Sequence, residues 1–436
     1  MKNLFYVLLC TILCFYSCSD DDNDYKTYNV SVRLVYPTDS EFSAKAGVTV
    51  KLSNNILAGE SLTDVNGVAT FVVPEGVYEI SASEERVSGA SSISLNAVRS
   101  NVSVTSTWLE TDIIELDLVA SVSGQIVIKE LYIGGCPDNG GSGSFGRDQY
   151  VILYNNSNSV LNVGDVCLAM VLPYNATVAN RDYEGETLVY ESQGWIPAGT
   201  GVWYFTNEVN LEPGKQIVIA LNNAVNNTVT YNNSINFSNP DYYCTYDIAS
   251  YPNATYYPAP VETIPTSHYL KAHHYGTGNA WPLSMTSPAF YLFSPEGTTL
   301  ENFIGDASNV DLYGGSASQV RKKVPVDWVL DGIEVYAQGA SNNMKRLTGA
   351  VDAGYTELTN KLGYTSYRNV NKEATEAIEG NSGKLVYSYS LGVDNSTDPS
   401  GIDAEASIKN GARIIYKDTN NSSNDFHQRR VASLRN

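Results

Sequence analysis

Thr63-Asp64-Val65-Asn66-Gly67-Val68-Ala69-Thr70-Phe71-Val72-Val73-Pro74-Glu75-Gly76-Val77-Tyr78-Glu79-Ile80 decides the fold class. Asn66-Gly67 tolerates positive φ at both positions, so it predicts a hairpin turn. Pro74-Glu75-Gly76 predicts the next turn, because Pro presets φ and Gly accepts a left-handed backbone. Working outward, Val30-Ser31-Val32-Arg33-Leu34-Val35 and Ala46 to Leu52 alternate apolar and polar residues with period two. That period is the mark of a half-buried strand. Residues 28–120 therefore read as one all-β module.

This pattern resembles the transthyretin-like, or carboxypeptidase-regulatory-like, β-sandwich. The resemblance covers about a fifth of the chain and implies a spacer.

A second unit, residues 124–436, begins with the strand Gln125 to Ile133. A glycine-rich loop, Gly134 to Gly146, follows, and then a returning strand Tyr150-Val151-Ile152-Leu153-Tyr154-Asn155. Gly201 to Phe205, Gln216 to Ala220 and Ala289 to Phe293 read as further strands. The order resembles the lamin-tail immunoglobulin-like domain, with Trp281-Pro282-Leu283-Ser284-Met285-Thr286-Ser287-Pro288-Ala289 where that family has its last hairpin. The resemblance implies an immunoglobulin-like sandwich with long insertions and a polar C-terminal extension. The largest insertion, residues 223–280, is rich in tyrosine. Its prolines Pro240, Pro252, Pro258 and Pro260 argue against helix and central strand, so an ordered loop packed on the sandwich is expected. In the tail, strands are expected at Leu385 to Tyr389 and Arg413 to Tyr416, and a helix near residues 370–379.

The 436 residues allow two to three domains. With 43% hydrophobic and 17% charged residues, the chain can bury a sizeable core. Asp and Glu number 47 against 27 Lys and Arg, a net charge of −20. That field repels phosphate backbones, so nucleic acid is not an expected partner. Tyr outnumbers Phe 31 to 11, and seven of the tyrosines fall within residues 231–260.

The N-terminus carries an address. Residues 1–17 have a Lys followed by the apolar run Leu4 to Tyr16, the length of a signal-peptide core. Ser17-Cys18 then resembles the bacterial lipobox, which implies lipidation of Cys18 and a tether over residues 18–27. Ser19, Asp20, Asp21 and Asp22 resemble the export signal of Bacteroidota surface lipoproteins, which implies an outer-membrane protein facing the exterior. The whole chain resembles an uncharacterised Bacteroidota lipoprotein family found near TonB-dependent receptors.

Catalytic signatures are missing. Gly141-x-Gly143-x-x-Gly146 follows a strand but precedes another strand, so the dinucleotide reading fails its context. No G-x-S-x-G, H-E-x-x-H, C-x-x-C or phosphate-loop motif occurs, and no enzyme is expected. Cys136, Cys167 and Cys244 allow one disulfide or none. His268, His273 and His274 could close around a transition metal or haem iron, or stack on neighbouring tyrosines. Asp394, Asn395, Thr397, Asp398 and Asp403 suit turn capping better than cation binding. Arg321-Lys322-Lys323 and Arg429-Arg430 could meet an acidic partner, but solvated charge or local pairing suits them better. The ligand surface expected from the sequence is the tyrosine-rich insertion: Tyr242, Tyr243, Tyr246, Tyr251, Tyr256 and Tyr257.

The expected function is a ligand-capturing or docking accessory of a TonB-dependent uptake system, with an outer-membrane β-barrel receptor as partner and iron, haem or a metal chelate as cargo. The alternative is a glycan- or peptide-binding adhesin that works without a transporter.

Overall fold

The computed structural model describes residues 26–37, 42–88, 91–122 and 125–435. Cys18, Ser19, Asp20, Asp21 and Asp22 lie outside the described residues, as does the signal segment. Among the described residues no helix is long and apolar enough to cross a membrane. The fold is all-β, as the periodicity predicts.

In the first module a three-stranded sheet runs Val68–Pro74, Thr27–Val35, Ile113–Asp117. It faces a five-stranded sheet ordered Ala58–Leu62, Thr49–Ser53, Gly76–Ser88, Ser91–Val104, Val119–Val122. Alternation along Thr27–Val35 sends Tyr28, Val30, Val32 and Leu34 inward. There they meet Val50, Leu52, Phe71, Ile80, Leu95 and Leu116. The Asn66-Gly67 turn forms where expected, with Gly67 at φ +74°. Asp64 holds it, accepting from the Asn66 and Val68 amides at 2.8 and 2.9 Å. The turn does not make a hairpin within one sheet, however. It carries the chain from one sheet to the other, and the Pro74-Glu75-Gly76 corner carries it back. These two crossings are what make a sandwich.

The second module is built on one twelve-stranded sheet. Its order is Thr356–Leu358, Val329–Ala337, Ala289–Phe293, Cys167–Met170, Gly201–Tyr204, Tyr269–His274, Tyr243–Thr245, Gln216–Ala220, Tyr150–Asn155, Ile126–Tyr132, Thr365–Arg368, Phe426–Arg429. The sheet curls until its two ends meet, and the Ile128 amide donates to Asp331 at 2.6 Å. Residues from both halves fill the space between, including Ile128, Val151, Ile219, Leu168, Trp203, Phe290 and Ile333.

The insertion and the tail both differ from expectation. The 223–280 insertion is not a loop throughout. Tyr243–Thr245 and Tyr269–His274 are central strands, and Tyr243–Thr245 pairs in parallel with both neighbours. The prolines permit this because none falls inside either strand. The C-terminal segment is likewise no appendage, since Thr365–Arg368 pairs with Ile126–Tyr132 and Phe426–Arg429 follows it. Leu385 to Tyr389 is irregular and Tyr416 makes only an isolated bridge, to Val370. The expected helix is a short one, Lys372–Glu376, capped by Asn371.

Arg368 pins the closure from the tail. Its guanidinium is buried, donates to the Ile128 carbonyl at 2.7 Å and pairs with Asp331, with Asp418 at 3.3 Å and with Asp425 at 3.8 Å.

Candidate functional site

None of the six tyrosines expected to bind ligand is exposed. Tyr251 and Tyr257 are core residues, their rings 5.4 and 5.6 Å from Trp203. The Trp281 amide donates to the Tyr257 hydroxyl at 3.1 Å. Tyr243, Tyr246 and Tyr256 lean on the same core, while Tyr242 and Tyr246 close a second cluster around Phe237 and Ile264. A flat apolar ring with a hydroxyl suits a packed layer with buried backbone to satisfy as well as it suits a ligand surface. Here the rings seal the insertion onto its own domain.

The histidines do not converge. His268 stacks on Tyr243 at 4.0 Å, His273 on Tyr204 at 4.8 Å, and His274 tilts against Tyr251 at 4.6 Å. His273 and His274 are successive strand residues, so their side chains leave on opposite faces. Burial holds His273 below the usual imidazole range. Among the described residues, no group of three or more His, Cys, Asp or Glu is placed to hold a metal ion. His268, His273 and His274 are therefore not brought together as a three-ligand metal site.

Cys136, Cys167 and Cys244 are free and buried, and burial pushes the Cys136 and Cys244 thiols up to about 12. Asp398 accepts from the Val370 and Ser400 amides, and Asp403 caps Ala404–Lys409. The glycine-rich loop forms a small hairpin, Cys136–Pro137 with Ser144–Phe145. It is tied to the insertion by Phe145 stacked on Tyr231 at 4.1 Å.

A groove of about 530 Å³ opens elsewhere on the second module. One wall is the loop that follows strand Cys167–Met170, with Leu172, Pro173, Tyr174, Asn175 and Arg181. The other is the turn at Tyr313, Ser316 and Gln319, between strands Val310–Leu312 and Val320–Pro325.

Both walls are fixed by buried arginines. Arg346, fully buried and paired with Glu334, donates to the carbonyls of Pro173 at 2.8 Å and Ser287 at 2.9 Å. Arg321 joins the walls. It forks onto Asp182 at 2.5 and 3.0 Å, just past the first wall, and its Nε reaches Asp311 at 2.9 Å, just before the second. The Tyr313 hydroxyl completes the joint, accepting from the Arg181 amide at 3.3 Å and donating to the Ala179 carbonyl at 3.4 Å. The first residue of Arg321-Lys322-Lys323 is thus an internal clamp.

The lining mixes Leu, Pro, Val, Ala and Tyr with neutral amides and one cation, Arg181. No Asp, Glu, His or Cys lines it, so it offers neither a carboxylate or imidazole base nor a thiol nucleophile. An apolar floor with a few placed polar groups is the composition of a small-ligand site. Sequence reasoning did not find this groove because its walls are more than a hundred residues apart. Arg321, a basic residue on a strongly acidic chain, was the one visible trace.

Two further clefts, of about 430 and 480 Å³, flank the junction of the modules. The outward face of the five-stranded sheet meets tail loops there, and Asn96 donates to the Thr419 carbonyl at 2.5 Å. Glu79 sits in this junction, and its burial pushes the carboxyl up.

Fold and groove define an all-β protein of two modules, the second carrying a groove whose walls are joined by Arg321. Residues 212–433 match the family described as "Protein of unknown function (DUF4876)", and the chain belongs to that family. Its structure is similar to the crystal structure of a DUF4876 family protein from Bacteroides thetaiotaomicron. That match has 21% identity and a TM-score of 0.50, covering 92% of this chain and 94% of that one. A DUF3823 family protein from Parabacteroides merdae matches at 12% identity over 34% of this chain and 67% of its own, with a TM-score of 0.15. No curated protein matches the chain.

Proposed function

We propose that this protein is a surface-displayed binding protein of the outer membrane. Cys18 carries the lipid anchor, Ser19 to Asp22 direct export, and the first module is a spacer. The second module captures a ligand in the groove between Tyr174 and Tyr313 and delivers it to an outer-membrane β-barrel of a TonB-dependent system. The observation that carries the binding role is the groove itself: preformed, clamped by Arg321, apolar at its floor, and lacking carboxylate, imidazole or thiol. A site so equipped can hold a molecule but has no acid–base pair to transform it.

The test uses the full chain in its native host. In mild detergent, the protein is expected to bring a β-barrel with it. The Cys18→Ser variant is expected to lose palmitate incorporation and move to the soluble fraction. A Cys18→Ser protein that stays lipid-labelled in the membrane refutes the anchor. Ligand binding without any barrel refutes the uptake role and leaves a free-standing adhesin.

A further inference from the structure

We propose that the groove takes a small acidic saccharide, with the Arg181 guanidinium as receptor for its carboxylate. This rests on the groove being the binding site. Arg181 is exposed, and its guanidinium makes no hydrogen bond or ion pair among the described residues. Asp182, its chain neighbour, and Asp311, three residues before Gly314, are both held by Arg321. The cation at the groove is therefore left available, on a chain whose net charge is −20. No acidic residue in the lining opposes an anion. Arg is also the residue whose planar fork matches a carboxylate at two points.

Arg181 lies over Gly314, where a Cβ would come within 2.7 Å of its Cδ and 2.8 Å of its Nη1. Gly314 has φ +58°, a second reason for glycine there.

The rest of the lining points to a sugar. Tyr174 is half-buried against the module's core and lines the groove; the uncovered part of such a ring suits the C–H face of a pyranose. The Gln319 carboxamide and Asn175 Nδ2 have no partner among the described residues, while Asn175 Oδ1 accepts from Thr286 at 3.2 Å and from Ser284. Free amide donors and acceptors suit hydroxyl groups. A fatty acid would leave these amides unmatched, and a cationic ligand would meet Arg181 with like charge. The volume of about 530 Å³ lies in the range of small-ligand sites.

The experiment is calorimetry or ligand-observed NMR on the intact chain with glucuronate, galacturonate and N-acetylneuraminate, against glucose and galactose. At least one acid is expected to bind, with its neutral counterpart at least ~10-fold weaker, the equivalent of about 1.4 kcal/mol. Arg181→Ala is expected to lose at least the same factor. Arg181→Lys is expected to fall between, because it keeps the charge and loses the fork. Equal binding of acids and neutral sugars, or an unchanged Arg181→Ala, overturns the proposal. So does a failure of every acid to bind. Val178→Trp, which fills the groove from an exposed position, separates the two readings. If a neutral sugar binds the wild type and is lost in Val178→Trp while no acid binds, the ligand class falls and the groove reading stands. If Val178→Trp leaves every bound sugar unchanged, both fall.

Discussion

Strand Thr27–Val35 of the first module buries every second residue, whereas Ile126–Tyr132 of the second buries all seven. Tyr150–Asn155 and Ala289–Phe293 are likewise buried throughout. The first module is therefore two sheets around one core, with its outer faces wet or turned to the module junction. The second has a layer inside its curled sheet and further layers outside it. Those outer layers are made of the segments that read as insertions and extension. Ile235, Phe237 and Ile264 cover Tyr150 and Val218, while Ile402, Ile414 and Tyr416 cover Val127 and Tyr154. Long irregular segments persist in a compact domain when they bury apolar surface that a sheet would otherwise expose.

The largest test of this contrast is Arg368→Ala. It leaves Asp331, Asp418 and Asp425 buried beside one another without their cation. Breaking such a buried pair costs about 3–5 kcal/mol. The loss is expected in the second module's unfolding transition in urea, followed by calorimetry, with the first module's transition unmoved. Equal displacement of both transitions would show that the modules unfold as one.

Asp148→Asn comes next. Burial pushes the Asp148 carboxyl up to about 6, so the folded protein binds this proton more tightly than the unfolded chain. The associated stability is fully present below the unfolded carboxylate range and is lost as pH rises through about 6. Asn carries no such penalty, so the variant is expected to gain about 2–3 kcal/mol at pH 8 and nothing near pH 4. Unfolding curves at the two pH values decide it. Glu84 in the first module behaves oppositely. Burial pushes it up, but hydrogen bonds from Arg86, Lys45 and Tyr36 outweigh that and hold it low. Its stability is present above the unfolded carboxylate range and is lost as pH falls.

The smallest effects come from one substitution made twice. Val72→Thr, at a position 65% exposed on the first module's outer face, is expected to change stability by no more than about 0.5 kcal/mol. Val218→Thr, at 4% exposure beneath the tyrosine-rich layer, is expected to cost about 1–3 kcal/mol for its buried hydroxyl. Equal costs would mean that the outer layer does not exclude water.

The all-β class is legible in the residues alone, because period-two alternation and turn chemistry are local. The strands Gln216–Ala220 and Ala289–Phe293 stand where the apolar runs place them. The sequence also located the tyrosine cluster, but a ring's chemistry does not say whether the ring faces a ligand or a core. Burial depends on what arrives from elsewhere in the chain, and Trp203 and Trp281 decided it for Tyr251 and Tyr257. The same holds for charge. Arg321 stands out in the sequence as a basic residue, but Asp182, Asp311 and Arg181 do not, and the packing of the chain settles which arginine consumes both carboxylates and which is left at the groove.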